Sequence, residues 1–180
     1  MQYLDEKLLL FIQEELRNDL LTPIMRLMTY LGNEGAGWIV LGLLLLALKS
    51  TRAKGVAYAM AFAMTALVNN VIIKPMVMRP RPYSTMETLV VLTEKLSSFS
   101  FPSGHASTSF ACATALTLLF GKKGAWSFIP AALIAFSRPY LGMHYVSDVV
   151  CGAVLGSLCA WLAVCIWKKI ADKRGKTVVK

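Results

Sequence analysis

Along the chain, long apolar runs alternate with short charged clusters. A helix crossing the ~30 Å hydrocarbon layer of a bilayer needs about 20 residues, with roughly 17 to 25 observed. Five runs come near that length: 35–48, 56–73, 106–120, 126–140 and 149–167. The first and fourth are short, and the fourth carries Pro130. Residues 1–34 are apolar as well, but Glu14, Glu15, Arg17, Asp19 and Arg26 interrupt them. A charge at the centre of a spanning helix costs about 2.5–3.5 kcal/mol, so this stretch is expected to lie at the interface as an amphipathic helix. A six-span chain that inserts part of it is the rival. The pattern predicts an all-α fold, an integral-membrane helical bundle of about five transmembrane helices. The expected organisation is 1–34 as interfacial segment, 35–170 as transmembrane domain and 171–180 as basic tail.

A hydrophobic fraction of 56% in 180 residues fits one membrane domain rather than a soluble one. Asp5, Glu6, Glu14 and Glu15 do not fit a cleavable signal peptide, so the first span is expected to target itself. The formal net charge of +9 would suit nucleic acid, but its placement argues otherwise. Lys49, Arg52 and Lys54 follow the first run, and Lys122 and Lys123 follow the third. Lys168, Lys169, Lys173, Arg174, Lys176 and Lys180 follow the fifth, so 11 of the 19 Lys and Arg residues flank apolar runs. In a five-span chain these clusters share one side, which the positive-inside rule makes cytoplasmic. The C-terminus is then cytoplasmic and the loops after the second and fourth spans face outward. Cys112, Cys151, Cys159 and Cys165 lie inside apolar runs without metal-ligand spacing and read as packing residues. Gly152 and Gly156, a GxxxG pair, read as a close helix contact.

The outward side holds polar residues that packing does not explain. Lys74 and Arg79-Pro80-Arg81-Pro82 close the second span, Pro102-Ser103-Gly104-His105 opens the third, and Ser137-Arg138, His144 and Asp148 join the last two. Both histidines of the chain fall in this set. Phosphoryl transfer spreads negative charge over three equatorial oxygens, which fixed cations and N–H donors stabilise. Arg81 and Arg138 can each grip two oxygens, Lys74 supplies a point charge, and Ser103 and Gly104 sit where a helix N-terminus offers free amides. Asp148, four residues after His144, can fix its tautomer for attack on phosphorus. His105 is then left to protonate the departing oxygen. With no carboxylate cluster for divalent ions, the expected catalysis needs neither metal nor cofactor.

The series Lys74-x6-Arg81-Pro82, Pro102-Ser103-Gly104-His105 and Ser137-Arg138-x5-His144-x3-Asp148 resembles the three-part signature of the type 2 phosphatidic acid phosphatase superfamily. The resemblance covers about residues 54–167. It implies His144 as a nucleophile forming a phosphohistidine, Asp148 as its activator and His105 as general acid. Lys74, Arg81, Ser103, Gly104 and Arg138 would bind the phosphate. Arg79 lies in the variable stretch of the first motif, where an interfacial anchor is the expected role. The family's soluble haloperoxidase branch does not suit so apolar a chain.

The implied activity is that of a plasma-membrane lipid phosphatase working at the outer face. The implied partners are the bilayer and a phosphorylated lipid, not nucleic acid. The compact length favours undecaprenyl diphosphate, cleaved to undecaprenyl phosphate, over phosphatidylglycerophosphate and phosphatidic acid. A small anion transporter is the alternative of a different class. From Trp126 to Ser137, helix rise gives roughly 18 Å, which puts Arg138 near the outer headgroups. The run Leu89-Val90-Val91-Leu92 is expected either to rest on the membrane beside a lipid entrance or simply to pack at the interface.

Overall fold

In the computed structural model, which describes residues 2–173, every regular element is helical. Helix α1 (Gln2–Phe11) leads through a π-helical turn to α2 (Leu21–Gly32), whose Pro23 sits in the first turn, where its missing N–H costs nothing. A kink at Glu34 and Gly35, both in the left-handed region (φ 49° and 71°), joins α2 to α3 (Ala36–Ala47). The kink allows close packing: a Cβ on Gly35 would meet the Phe62 ring at 2.6 Å.

After a tight turn come α4 (Arg52–Leu67), a π-helical turn over Val68–Ile73 and the short α5 (Lys74–Val77). The site loop follows, then α6 (Gly104–Phe120), the short α7 (Lys122–Ala125), α8 (Phe128–Tyr140) and α9 (Val146–Lys173). Pro130 falls in the first turn of α8 and so does not break it. Three helical runs are long and apolar enough to cross a membrane: Leu21–Ala47, Arg52–Ser84 and Val146–Lys173. The boundary expected at residue 34 falls at the kink between α2 and α3, within the run Leu21–Ala47, and α2 packs on α8. Ala171 to Lys173 of the expected tail extend α9, and residues 174–180 lie outside the described residues.

Helix α6 is central. Ala106, Ser107, Ser109, Ala111, Cys112, Ala113 and Ala115 are buried around much of its circumference, so α4, α8 and α9 can all approach it. Gly152 and Gly156 make the contact with α9: a Cβ at either would run into the backbone of Ser103 or Ser107. Side-chain bonds are placed inside this core. Trp38 Nε1 donates to Ser109 Oγ (2.9 Å), and Tyr58 OH donates to the Trp38 carbonyl (2.9 Å). Outward-facing Val150, Val154, Leu158, Trp161 and Leu162 leave α9 with an exposed apolar stripe, as a lipid-facing helix requires.

The two ends of the bundle differ. At one end Lys54 lies over the Phe120 ring (4.5 Å) and Ala171 joins the core with Leu45 and Leu119, so the basic ends of α3, α6 and α9 gather there. The other end is covered by α1, by the turn after it and by the loop between α5 and α6. Most of the apolar run of that loop packs inward, with Val90 left exposed. Leu89 is buried with Leu9, Met86 and Tyr145, while Val91 and Leu92 pack against Ile12, Met25, Tyr140, Leu141 and Met143. Arg17 fastens the layer, donating to the carbonyls of Tyr140 (2.8 Å) and Val90 (2.7 Å), and Arg26 donates to Leu92 O (3.2 Å).

Candidate active site

The site forms beneath this cover. His144 lies in the connection between α8 and α9, held by the turn bond from Met143 N to Arg138 O (2.9 Å). Asp148 occupies the first turn of α9, a position that favours a carboxylate. Both side chains are buried, and His144 Nδ1 lies 3.6 Å from Asp148 Oδ2. That is longer than a hydrogen bond. Ser100 fills the gap, its Oγ 2.5 Å from Asp148 Oδ2 and 3.4 Å from His144 Nδ1. Tyr145 N also donates to Asp148 Oδ2 (3.0 Å).

On the opposite side of the ring, Arg81 Nη1 stands 3.3 Å from His144 Nε2. An arginine can only donate, so Nε2 carries the lone pair and Nδ1 carries the proton that faces Asp148. Burial, together with Arg138 and Arg81 and against the pull of Asp148, holds His144 well below the ordinary imidazole range, at about 3. The ring is neutral at pH 7, with the lone pair of Nε2 facing Arg81.

Arg81 is itself fixed, donating through Nε to Ser98 O (2.6 Å), through Nη2 to Ser98 Oγ (2.9 Å) and through Nη1 to Met143 O (3.0 Å). Arg138 is buried and donates through Nη1 to Thr29 Oγ1 on α2. Its Nε has no protein partner, and neither does the buried Oγ of Ser103. Both are donors that an anion can take up. Ser103 donates its backbone N–H to the Asp148 carbonyl (3.0 Å), which ties the start of α6 to the start of α9, and Gly104 opens the helix behind it. Lys74 lies within electrostatic reach of Arg81, Arg138 and Asp148.

His105 lies in the first turn of α6, facing α2. Its Nε2 faces two acceptors, the Thr29 carbonyl (3.2 Å) and Asn33 Oδ1 (3.0 Å), so that nitrogen holds the proton. Thr29 therefore serves both His105 and Arg138, and no direct hydrogen bond joins His105 to His144 among the described residues. The structure brings Lys74, Arg81, Ser103, Gly104, His105, Arg138, His144 and Asp148 to one end of the bundle. Asp5, Thr29, Asn33, Arg79, Ser98 and Ser100 complete it without having been singled out for the site. Only Arg79 carried a signal, as a second arginine beside Arg81.

A membrane bundle with a buried, neutral imidazole held between a carboxylate and a set of anion-binding cations is a membrane lipid phosphatase. A model of the PAP2 superfamily matches residues 54–172, and the chain belongs to that superfamily. The undecaprenyl-diphosphatase of Sulfolobus acidocaldarius is 35% identical over 142 residues, 77% of this chain and 68% of that protein. The lipid A 4'-phosphatase of Bacteroides thetaiotaomicron is 34% identical over 127 residues, 66% of this chain and 56% of that protein. Among solved structures, Aquifex aeolicus LpxE superposes with a TM-score of 0.76 at 28% identity, covering 88% of this chain and 93% of that one. The PAP2-type phosphatidylglycerolphosphate phosphatase of Bacillus subtilis gives 0.76 at 27% identity, covering 94% and 87%.

Proposed function

We propose that the chain hydrolyses a lipid diphosphate through a phosphohistidine on His144, with undecaprenyl diphosphate as substrate. The observation that carries the mechanism is the polarity of the ring, with Nδ1–H toward Asp148 and the Nε2 lone pair toward Arg81. An entering phosphate takes up the guanidinium N–H groups of Arg81 and Arg138, the Lys74 ammonium and the Ser103 hydroxyl. The Nε2–P bond then forms as the P–O bond to the lipid phosphate breaks, and His105, protonated on both ring nitrogens once the anionic phosphate is bound, gives its second proton to the departing oxygen and is left neutral. Water next attacks phosphorus and passes a proton to His105. The P–N bond breaks and inorganic phosphate leaves. The cations carry the charge that a divalent metal otherwise would, so EDTA should leave turnover intact; a loss restored by added metal would reject this assignment.

For the substrate, two undecaprenyl-diphosphatases support the reading: the Sulfolobus acidocaldarius protein above and that of Bacillus subtilis, 31% identical over 147 residues. A lipid-facing groove of about 330 Å³ next to Ser103, lined by Ile73, Phe101, Pro102, Val150, Val154 and Leu158, can seat an isoprenoid chain. Likeness to the phosphatidylglycerolphosphate phosphatase structure favours that lipid as the second reading, ahead of phosphatidic acid. The deciding experiment compares phosphate release from the three lipids in detergent. Undecaprenyl diphosphate should lead, and His144→Ala should abolish turnover of all three. A faster rate on phosphatidylglycerophosphate would overturn the substrate, and an active His144→Ala protein would overturn the mechanism.

Five crossings, with α2 and α3 forming the first and α1 lying at the interface, fit the helix order. The gathering of basic residues at the far end from the site supports a plasma-membrane topology with an extracytoplasmic site and a cytoplasmic C-terminus. In a variant lacking exposed Cys151, Thr85→Cys should react with an impermeant thiol reagent on intact cells. Protection there with labelling of Lys122→Cys would invert the topology.

A further inference from the structure

Arg79 is shared between two carboxylates. Its Nη1 donates to Asp148 Oδ1 (2.6 Å) and to Ser147 Oγ (2.8 Å), and its Nη2 donates to Asp5 Oδ2 on α1 (2.8 Å). The guanidinium lies over the Tyr145 ring at 3.9 Å, and the Tyr145 hydroxyl is in turn held at 2.7 Å from Thr85 Oγ1. Asp5 is almost wholly buried at 3% exposure, a setting a carboxylate tolerates only when paired. It accepts three hydrogen bonds, from Arg79 Nη2, from Ser147 Oγ (2.5 Å) and from the Ser147 amide (2.9 Å). That amide belongs to the first turn of α9, so Asp5 supplies from a distant helix the negative charge that a helix N-terminus favours.

This arrangement constrains the nucleophile. Asp148 needs Oδ2 turned toward His144, and a free arginine beside it would tend to grip both oxygens as a fork. Asp5 occupies the second nitrogen of Arg79, which leaves one N–H for Asp148 Oδ1 and keeps Oδ2 for Ser100, Tyr145 N and the imidazole. We propose that Asp5 and Arg79 are positioning residues of the reaction, and that α1 sets the orientation of Asp148, and through it His144, by dividing the Arg79 guanidinium between two carboxylates. The proposal rests on the His144 reading above.

The test is a double-mutant cycle on the detergent-solubilised full chain, with farnesyl diphosphate as a dispersible substrate and radiolabelled phosphate to trap the phosphoenzyme. Asp5→Asn and Arg79→Gln should each lower kcat about tenfold or more, as a small misplacement of a catalytic group does, with KM within about twofold. Arg79→Lys should recover less than half of the loss, because an ammonium has no fork to divide. In the Asp148→Asn background, adding Asp5→Asn should change kcat by less than about twofold, since its target is already gone. Losses that multiply in the double variant, or a rise in KM without a fall in kcat, would overturn the proposal and leave Asp5 a packing residue. An Asp148→Asn enzyme as active as the parent would instead sink the His144 mechanism, a different result. If Asp5→Asn does not fold, Arg79→Lys carries the same cycle, and additivity there would count equally against it.

Discussion

Thr29 is the most direct place to test how α2 contributes to the site. Its hydroxyl accepts from Arg138 Nη1, and its carbonyl faces His105 Nε2 at 3.2 Å. Valine has nearly the shape of threonine, so Thr29→Val removes the hydroxyl and leaves the carbonyl in place. Arg138 is 2% exposed, its Nε already lacks a protein partner, and Thr29 accepts its one side-chain hydrogen bond among the described residues. Losing a hydrogen bond to a buried charged group costs about 1.5–3 kcal/mol. At about 1.4 kcal/mol per tenfold, kcat/KM should drop by a factor on the order of 10 to 100 if Arg138 loses its aim at the transition state. Thr29→Ser keeps the hydroxyl and should stay within about threefold of the parent. Phosphate release under subsaturating substrate measures the ratio, and the melting temperature in detergent separates misfolding from misaiming. A Thr29→Val enzyme within twofold of the parent, or a Thr29→Ser enzyme as impaired as Thr29→Val, would refute the assignment.

Ser100→Ala removes the hydroxyl between Asp148 and His144, and should lower kcat about tenfold while leaving KM within twofold, since Ser100 bonds the carboxylate rather than the anion-binding groups. Gly32→Ala places a Cβ 2.6 Å from His105 Cδ2 and 2.5 Å from Ile134 Cγ2. The strain should cost about 1–3 kcal/mol of stability, read by thermal melting, with activity falling further than at a Gly37→Ala control. The depressed His144 also fixes a sign for pH. With a folded value of about 3 against an ordinary 6.5, the unfolded chain binds a proton in that window that the folded chain refuses. Stability should therefore fall as pH drops below about 6.5, and His144→Gln should flatten the melting-temperature slope between pH 7 and 5. An unchanged slope would argue against a buried neutral ring.

The elements that local pattern could reveal were legible in the sequence. The apolar runs at 56–73, 106–120, 126–140 and 149–167 correspond to α4 with its π-helical turn, α6, α8 and α9, because a continuous run of lipid-length hydrophobicity has few other uses. The histidines, Asp148 and the cations were legible because such residue types are rare beside apolar spans. Helix α2 was not. Arg26 within it and Arg17 before it argued against its packing into the bundle, yet both donate to carbonyls of the loop between α5 and α6, Arg17 to Val90 and Arg26 to Leu92. Ser100 and Thr29 were missed for a related reason. A serine in a polar loop and a threonine in an apolar helix are unremarkable until folding sets them against Asp148 and Arg138. Between membrane contact and packing, the run 89–92 could not be decided locally, because the partners of Leu89, Val91 and Leu92 include Leu9, Ile12 and Met25 from a segment read as a separate layer.

The link between Asp5 and Ser147 also bears on how the molecule is made. These residues are 142 positions apart, and the first-turn amide of α9 becomes available only after α4, α6 and α8 have been made. During synthesis Arg79 is therefore made first of the partners of Asp5, and both bonds from Ser147 come only with α9. On the proposed mechanism the cations of the site thus precede the helix that aligns the nucleophile, and hydrolytic competence waits on one late docking step.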